Sequence, residues 1–269
     1  MDRALENGHP RVGVTVLGSG SGGNSTVLHC GRDAVMIDAG FSYRETLRRM
    51  KEAGIDDLNI NGILVTHEHT DHIGGIRLCS EKFEAPVYAT RDCAVFIREK
   101  NPRIGQMALI APNCEFSIGE FSICPFSIPH DAKDPVAFTI SCHDFKIGVA
   151  TDIGYVSAGV IYQLRGCNVL VIESNHDLNM LAASNRPWNL KQRIMGRQGH
   201  LSNDSTVQLL RQVIDERTST IVLAHLSEEC NTCEKALVSV RGLLDSMGRG
   251  DIALLAASQC DCIPTVWCT

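Results

Sequence analysis

The stretch Thr66-His67-Glu68-His69-Thr70-Asp71-His72 is the most informative part of this chain. Four of its seven side chains follow the order H-x-H-x-D-H, and each of the four can bind a metal. The apolar run Ile63-Leu64-Val65 comes directly before it and predicts a buried strand. Bound cations would explain why three imidazoles and a carboxylate lie so close together at a strand end, so the stretch predicts a metal site. The alternative is a solvated polar loop.

Further histidine and aspartate residues follow apolar runs later in the chain. His130, Asp152 and His225 each come directly after such a run, so each is expected at the end of a strand. One of them alone would be weak evidence, because a histidine after a strand is more often structural. Their order, together with the H-x-H-x-D-H stretch, resembles the motif set of the metallo-β-lactamase superfamily of binuclear hydrolases.

The resemblance implies a centre with two divalent metal ions. In that pattern His67, His69 and His130 bind one metal, Asp71, His72 and His225 bind the other, and Asp152 bridges the two. Asp38 follows the apolar run 35–37 and, in the same pattern, orients the loop of the motif without binding metal. A hydroxide shared by two cations about 3.5–4 Å apart is a nucleophile at neutral pH. Zinc is the expected metal, and manganese or iron stays open.

Short β-branched runs alternate with helical patterns along the chain. This mixture fits the αββα sandwich of the superfamily, with two packed mixed sheets and helices on the outer faces. Without a low-complexity linker or a repeat, residues 1–269 are expected to form one domain. The predicted strands cover 12–17, 25–29, 34–37, 63–65, 86–89, 121–128, 136–141, 145–150, 168–172, 219–224 and 252–255. The predicted helices cover 43–53, 72–81, 91–100, 157–166, 189–197, 203–216 and 234–247.

The composition is typical of a soluble globular protein, with 44% hydrophobic and 21% charged residues. Because the net charge is -6, affinity for nucleic acid requires a local basic patch. No apolar run is long enough for a bilayer and the N-terminus lacks a signal-peptide core, so a cytoplasmic location is expected. The twelve scattered cysteines favour reduced thiols. A further structural zinc at Cys230 and Cys233, or at Cys260 and Cys262, stays open.

Residues 184–200 form a local basic segment in this acidic chain. They contain Arg186, Lys191, Arg193 and Arg197 and no acidic residue. Phosphates dominate the affinity of proteins for nucleic acids, so a cationic segment beside a metal centre predicts an anionic polymer as the substrate. The alternative is a solvated helix face that binds nothing.

His200 follows this segment and comes just before a predicted helix. The stretch Gly199-His200-Leu201-Ser202 resembles the Gly-His-Ser/Thr element of transfer-RNA 3′-processing nucleases in the superfamily. We expect His200 to contact the scissile phosphate or to protonate the leaving oxygen, and so to be catalytic together with Asp71 and Asp38. A structural, helix-capping histidine is the alternative. His176 is a weaker second candidate for a phosphate contact.

The glycine-rich stretch 17–25 connects two predicted strands. It lacks the lysine of a nucleotide-binding P-loop, and a strand rather than a helix follows it. Its bare backbone can approach the metal site and donate N–H groups to a phosphate, with Ser21 and Asn24 as candidate substrate contacts. A tight hairpin without a binding role is the alternative.

The chain resembles the WalJ/YycJ group of bacterial metallo-β-lactamase-fold proteins over nearly its whole length. The supporting stretches are 17–25, 66–75, 150–154, 173–181, 199–203 and 224–227. The resemblance implies a cytoplasmic, metal-dependent nuclease with 5′-to-3′ exonuclease action, on DNA more than on RNA. Residues 228–233 depart from the group's pattern, which usually carries Asn and Pro there.

Two other functions stay open at this point. The same metal pair can hydrolyse a small ester, thioester or lactam, and such an enzyme would not need the basic segment. A binding protein with structural metals is the other candidate, and part of the ligand set would also serve a mononuclear iron oxygenase. The sequence does not indicate an oligomeric state.

Overall fold

Two seven-stranded mixed sheets pack face to face in the computed structural model, which describes residues 5–6 and 9–268. The first sheet consists of β3 (Val12–Gly18), β4 (Ser25–Cys30), β5 (Asp33–Ile37), β6 (Asn59–Leu64), β7 (Val87–Ala89), β8 (Met107–Leu109) and β16 (Val266–Trp267). Across the sheet their order is β16-β3-β4-β5-β6-β7-β8. The second sheet consists of β9 (Phe116–Ile118), β10 (Phe121–Ser127), β11 (Val136–Cys142), β12 (Phe145–Ala150), β13 (Val169–Glu173), β14 (Thr220–Ala224) and β15 (Ala253–Ala256). Across the sheet their order is β15-β14-β13-β12-β11-β10-β9. β1 (Leu5–Glu6) and β2 (His9–Pro10) pair separately.

Helices cover the outer faces of both sheets. They are α1 (Tyr43–Glu52), α2 (Thr70–Ile73), α3 (Ile76–Phe83), α4 (Arg91–Lys100), α5 (Ala158–Leu164), α6 (Leu178–Ala183), α7 (Trp188–Ile194), α8 (Asn203–Val213) and α9 (Cys233–Ser246). The predicted αββα sandwich is therefore confirmed. In the described part of the chain, none of the helices has the length and apolar character needed to cross a membrane.

Three apolar layers hold the sandwich together. The layer between the sheets contains Phe121 and Phe138, both fully buried. A second layer joins the first sheet to α1, α3 and α4, and a third joins the second sheet to α5, α8 and α9. The continuous apolar runs of β13 and β14 follow from this arrangement, because a strand with covers on both faces buries every side chain.

The strand directions bring the polar strand ends together. β5 and β6 are parallel in the first sheet, and β12, β13 and β14 are parallel in the second. The carboxyl ends of parallel strands lie at one edge of a sheet, where ligand sites of α/β folds form. All the strand ends that carry the H-x-H-x-D-H stretch, Asp152 and His225 thus meet at the same edge of the sandwich.

One predicted helix and several short elements differ from expectation. The predicted helix 72–81 is divided into α2 and α3 near Gly75. The Gly75 amide donates to the Ala39 carbonyl oxygen at 2.7 Å and not to a carbonyl oxygen of a continuous helix. A Cβ at Gly75 would lie 1.8 Å from the Phe41 carbonyl oxygen, so only glycine fits at this close approach. Six further elements among the described residues, β1, β2, β8, β9, β16 and α6, were not predicted, because each is too short to show a period in the sequence. The single-domain interpretation remains a prediction.

Candidate metal centre

The candidate ligands follow strands at the shared edge of the two sheets. The H-x-H-x-D-H stretch follows β6, His130 follows β10, Asp152 follows β12 and His225 follows β14. Three site residues take the left-handed backbone conformation, Asp38 and Asp152 at φ 59° and His225 at φ 54°. This conformation costs an L-residue about 1–2 kcal/mol. The chain therefore turns sharply at these strand ends, and the turns direct the side chains into the centre.

Three imidazoles meet in the first cluster. His69 Nδ1 lies 3.1 Å from His67 Nε2 and 3.4 Å from His130 Nε2. Burial and the neighbouring His72 hold the pKa of His67 well below its usual range, and burial lowers the pKa of His130. Neutral imidazole nitrogens that converge on one point are a suitable donor set for a divalent cation.

Asp71, His72 and His225 form the second cluster. Asp71 Oδ2 lies 3.4 Å from His72 Nε2 and 3.6 Å from His225 Nε2. Asp152 lies between the clusters, with Oδ2 at 3.3 Å from His72 Nε2 and Oδ1 at 3.7 Å from His130 Nε2. The carboxylate of Asp152 therefore faces a ligand-type atom of each cluster, as a bridging ligand must.

Asp38 fixes the imidazole of His72 from behind. Asp38 Oδ2 accepts hydrogen bonds from His72 Nδ1 at 2.7 Å and from Thr66 Oγ1 at 2.8 Å, and Oδ1 accepts the Thr66 backbone N–H at 2.8 Å. With Nδ1 engaged, Nε2 of His72 is the atom that faces the cluster. Asp38 is thus placed to orient the motif, and Thr66 is part of the same network.

Glu173, the last residue of β13, is a site residue that was not predicted from the sequence. Its buried Oε2 accepts the backbone N–H groups of Ile153 and Leu201, each at 2.9 Å. Its Oε1 accepts hydrogen bonds from His200 Nδ1 at 2.8 Å and from His225 Nδ1 at 3.0 Å. Burial opposes ionisation, but His200 and His225 lower the pKa of Glu173 to about 2. One ionised carboxylate therefore orients a candidate ligand and the candidate acid.

The donor set of this centre fits a pair of divalent cations. Asp152 Oδ2 and His225 Nε2 are buried and have no hydrogen-bond partner among the residues that the structure describes. An unpaired buried polar atom is costly, and a bound cation would complete both. Burial opposes protonation of His225, yet Asp152, Asp71 and Glu173 raise its pKa to about 10. The centre thus attracts positive charge strongly.

A cleft of about 230 Å³ opens over the two clusters, and His200 lines it. The His200 ring lies between those of His130 and His225, with centroid distances of 5.2 Å to each. Because Glu173 engages Nδ1, Nε2 of His200 is left for a bound molecule. The N-cap of α8 is Ser202, whose Oγ accepts the Ser205 N–H at 3.1 Å, so His200 is not needed as a helix cap.

The glycine-rich stretch packs behind the metal motif. Asn24 is buried, and its Nδ2 donates to Asp71 Oδ2 at 3.2 Å and to the Gly20 carbonyl oxygen at 3.0 Å. Its Oδ1 accepts a hydrogen bond from Ser19 Oγ at 2.9 Å. Asn24 is therefore placed to position Asp71 and not to contact a substrate, which corrects its predicted role. Ser21 is exposed and lines the cleft, so it stays a candidate contact.

Two arginines of the basic segment lie at the rim of the cleft. Arg186 Nε pairs with Glu229 Oε2 at 2.9 Å, and Arg193 pairs with Asp131 Oδ2 at 2.8 Å. Ion pairs this open to solvent contribute little, about 0–1 kcal/mol, so a phosphate can replace either carboxylate. Both arginines are therefore placed to contact an anionic substrate.

The other two basic residues of the segment, Lys191 and Arg197, make contacts within the protein. The Arg197 guanidinium stacks on the Tyr155 ring, 4.2 Å from its centroid, beside the cleft. Lys191 is buried, and its ammonium donates to the carbonyl oxygens of Ala182 at 2.7 Å and Ser184 at 2.8 Å. These bonds join α7 to the end of α6. Lys191 therefore has a structural position, and its predicted contact with substrate is wrong.

The variant Lys191→Met tests this structural position. Loss of two hydrogen bonds from a buried ammonium is expected to lower the free energy of unfolding by about 1–3 kcal/mol, with both carbonyl oxygens left unpaired. Urea unfolding followed by circular dichroism measures the change. Exposed Lys82→Met is the matched control and is expected to unfold within about 0.5 kcal/mol of the parent chain. Equal stability of the two variants would contradict the assignment.

His176 and the two cysteine pairs lie outside the cleft. His176 is buried, and burial lowers its pKa to about 4, so it is uncharged at neutral pH and cannot reach a polymer phosphate. Its predicted phosphate contact is therefore wrong. Cys230–Cys233 and Cys260–Cys262 belong to none of the ligand-type clusters found within residues 11–268.

Comparisons with known proteins agree with this architecture. A family model described as the β-lactamase superfamily domain matches residues 33–225. Exodeoxyribonuclease YycJ of Bacillus anthracis is 34% identical over 88% of this chain and 90% of that protein. Exodeoxyribonuclease WalJ of Streptococcus pneumoniae is 30% identical over 89% of this chain and 90% of that protein. The crystal structure of the metallo-β-lactamase fold protein YhfI from Bacillus subtilis matches with a TM-score of 0.70 at 14% identity, over 94% of this chain and 99% of that one.

Proposed function

Since this chain belongs to the metallo-β-lactamase superfamily, in the group that contains exodeoxyribonucleases YycJ and WalJ, we propose that it is a metal-dependent exonuclease of DNA. The family resemblance indicated by the sequence is thereby confirmed. The observation that carries the proposal is the pair of ligand clusters at the floor of a cleft with Arg186 and Arg193 at its rim. Zinc as the metal, 5′-to-3′ polarity, DNA over RNA and a cytoplasmic location are parts of the proposal.

The size of the cleft supports a polymer as the substrate. Its volume of about 230 Å³ is below the about 300–1,000 Å³ of pockets that enclose small molecules. One end of a long substrate fits such a cleft, while the remainder lies along the rim. The alternative of a small ester, thioester or lactam is less favoured, because the rim arginines would then have no ligand.

The residues of the chain divide the chemistry among them. When bound, two divalent cations supply a water that ionises near neutral pH and positive charge for the phosphate oxygens. Arg186 and Arg193 hold the neighbouring phosphates in position. His200 donates a proton from Nε2 to the leaving oxygen. Glu173 holds the His200 imidazole in position and stabilises its protonated form, which must be regenerated before the next cycle.

An end-labelled nuclease assay tests the proposal. Purified protein is incubated with DNA and RNA, single-stranded and duplex, with zinc or manganese added separately. We expect metal-dependent, stepwise loss of nucleotides from the 5′ end of DNA. If no nucleic acid is cleaved while both metals are shown to be bound, the nuclease proposal is wrong and a small-molecule substrate must be sought.

The variant Arg193→Gln tests the rim contact. Loss of one phosphate contact is expected to weaken DNA binding several-fold at low salt and to reduce the slope of log Kd against log salt by about 0.7–0.9. Fluorescence anisotropy across a salt series measures both quantities. Exposed Arg217→Gln, remote from the cleft, is the control and keeps the parent slope. An unchanged slope in Arg193→Gln would remove Arg193 from the binding surface.

A further inference from the structure

Four ligand-type side chains from both sheets meet outside the candidate metal centre. Cys30 ends β4 and Cys142 ends β11, while Glu120 and His143 lie in the turns after β9 and β11. One ligand atom of each residue lies within 4.8 Å of those of the other three. Cys30 and Cys142 are buried, and the His143 side chain is 21% exposed. The cluster therefore combines two buried thiols with an imidazole and a carboxylate at its open side.

This cluster lies far from the cleft. β4 begins directly after Asn24, which contacts Asp71, and β11 begins at Val136, whose N–H donates to the Thr66 carbonyl oxygen at 2.9 Å. The two strands run away from that edge for six and seven residues. At about 3.3 Å per residue the cluster lies about 20 Å from the candidate metal centre. It is a separate group and not an extension of the first.

Two distances between ligand atoms of the cluster match edges of a tetrahedral zinc site. Cys30 Sγ lies 3.4 Å from His143 Nε2, and His143 Nε2 lies 3.2 Å from Glu120 Oε2. With zinc–sulfur bonds of about 2.3 Å and zinc–nitrogen or zinc–oxygen bonds of about 2.0 Å, the S–N edge is about 3.5 Å and the N–O edge about 3.3 Å. Two edges of the cluster, both at His143 Nε2, therefore already have the lengths of a zinc tetrahedron, and all four ligand atoms lie within 4.8 Å of one another.

We infer that Cys30, Cys142, His143 and Glu120 form a structural zinc site that joins the two sheets. This site is independent of the proposed hydrolysis. Thiolate and imidazole ligands together favour zinc over magnesium, calcium or manganese. Four protein ligands close the coordination shell, which is typical of structural sites and leaves no open position for a substrate.

Zinc binding would change the protonation state of the Cys30 and Cys142 thiols. Burial raises the pKa of Cys142 and of Cys30, and the carboxylate of Glu120 acts in the same direction. Both groups are thus protonated thiols at neutral pH in the absence of a cation. Coordination deprotonates a thiol, so zinc binding releases about two protons and links β4 to β11 across the sandwich.

Cobalt substitution tests the site without any activity measurement. The candidate metal centre contains no cysteine, so thiolate-to-cobalt charge transfer in the near ultraviolet separates a cysteine-containing site from that centre, and loss of the band in a Cys142 variant assigns it to the Cys30 cluster. We expect this absorption when Co²⁺ is added to the full chain purified under reducing conditions. We also expect zinc analysis of the zinc-loaded chain to give about one ion per chain more than the two clusters of the cleft can hold.

Two variants and one control make the test decisive. Cys142→Ser is expected to abolish the charge-transfer band and the additional zinc. His143→Asn keeps a residue that tolerates the left-handed turn at φ 53° and is expected to weaken cobalt binding there about 10-fold or more with the fold intact. Cys124→Ser removes a half-buried thiol of neighbouring β10 and is expected to leave the band unchanged.

Three results would overturn the inference. The first is the absence of the band in the reduced parent chain. The second is a band that persists at full strength in both Cys142→Ser and His143→Asn. The third is a disulfide between Cys30 and Cys142 in protein isolated without oxygen, since its sulfurs could not bind zinc as thiolates.

Discussion

Replacement of Asp152 by asparagine is expected to remove at least one ion from the candidate metal centre and most of the activity with it. The Asp152 side chain is 2% exposed, and its two oxygens face ligand-type nitrogens of both clusters. Asparagine has the same shape and tolerates the left-handed backbone at φ 59°, so the fold is expected to persist while the bridging charge is lost. We expect DNA hydrolysis to fall by at least about 10³-fold and at least one metal ion to be lost.

Rate measurement with end-labelled DNA and metal analysis of the same preparation check this result. Asp245→Asn, an exposed position on α9, is the matched control and is expected to keep the parent rate and metal content. Circular dichroism establishes that both variants are folded. A folded Asp152→Asn protein with full activity would refute the proposed metal-dependent mechanism.

Replacement of Glu173 by glutamine is expected to have the second-largest effect. Glu173 accepts four hydrogen bonds, two from backbone amides and two from imidazoles. Glutamine has one acceptor oxygen and an NH₂ group, so it must leave either the amides or the imidazoles without an acceptor. If the glutamine NH₂ group faces His225 Nδ1, that nitrogen must accept a hydrogen bond and its proton moves to Nε2. Nε2 is the atom that faces the second cluster, and while it carries a proton it cannot bind a metal. We expect metal affinity to fall about 10–100-fold and kcat to fall at least about 10²-fold at saturating metal.

A metal titration separates the two effects of Glu173→Gln. Saturating metal restores the share of the loss caused by weaker affinity, and the residual loss in kcat reports His200. Exposed Glu99→Gln on α4 is the control and is expected to titrate like the parent chain. A Glu173→Gln protein with unchanged metal affinity and kcat would show that the carboxylate orients neither histidine.

The sequence predicts most strands and the candidate ligands for one physical reason. Buried strands appear in the sequence as apolar runs, so a polar residue directly after such a run is easy to identify. His225 after Thr220–Ala224 is an example. The alternation of runs and helical patterns fits two packed sheets with helices outside, and the resemblance to the superfamily implies their αββα arrangement. The H-x-H-x-D-H stretch is local in sequence, so its clustering needed no knowledge of the fold.

Other features depend on contacts between distant residues and could not be predicted in this way. Glu173 ends an apolar run as a turn residue also would, and its role follows only from β13 lying between β12 and β14. Lys191 shares a basic segment with Arg193, but only the fold shows that its ammonium points to carbonyl oxygens. Cys30 and Cys142 lie in different sheets, so no local spacing relates them.

The left-handed strand ends give a way to recognise relatives that have lost catalysis. Asp38, Asp152 and His225 hold a backbone conformation that glycine adopts at no steric cost. Once selection for hydrolysis is removed, stability favours glycine at Asp152 and His225, whose buried Oδ2 and Nε2 have no hydrogen-bond partner among the described residues, more than at Asp38, whose carboxylate accepts three hydrogen bonds. A descendant that had become a binding protein is therefore expected to accumulate glycine at Asp152 and His225 first, ahead of changes at His67, whose backbone carries no such cost. The present chain, with all three side chains in place, shows no sign of that drift.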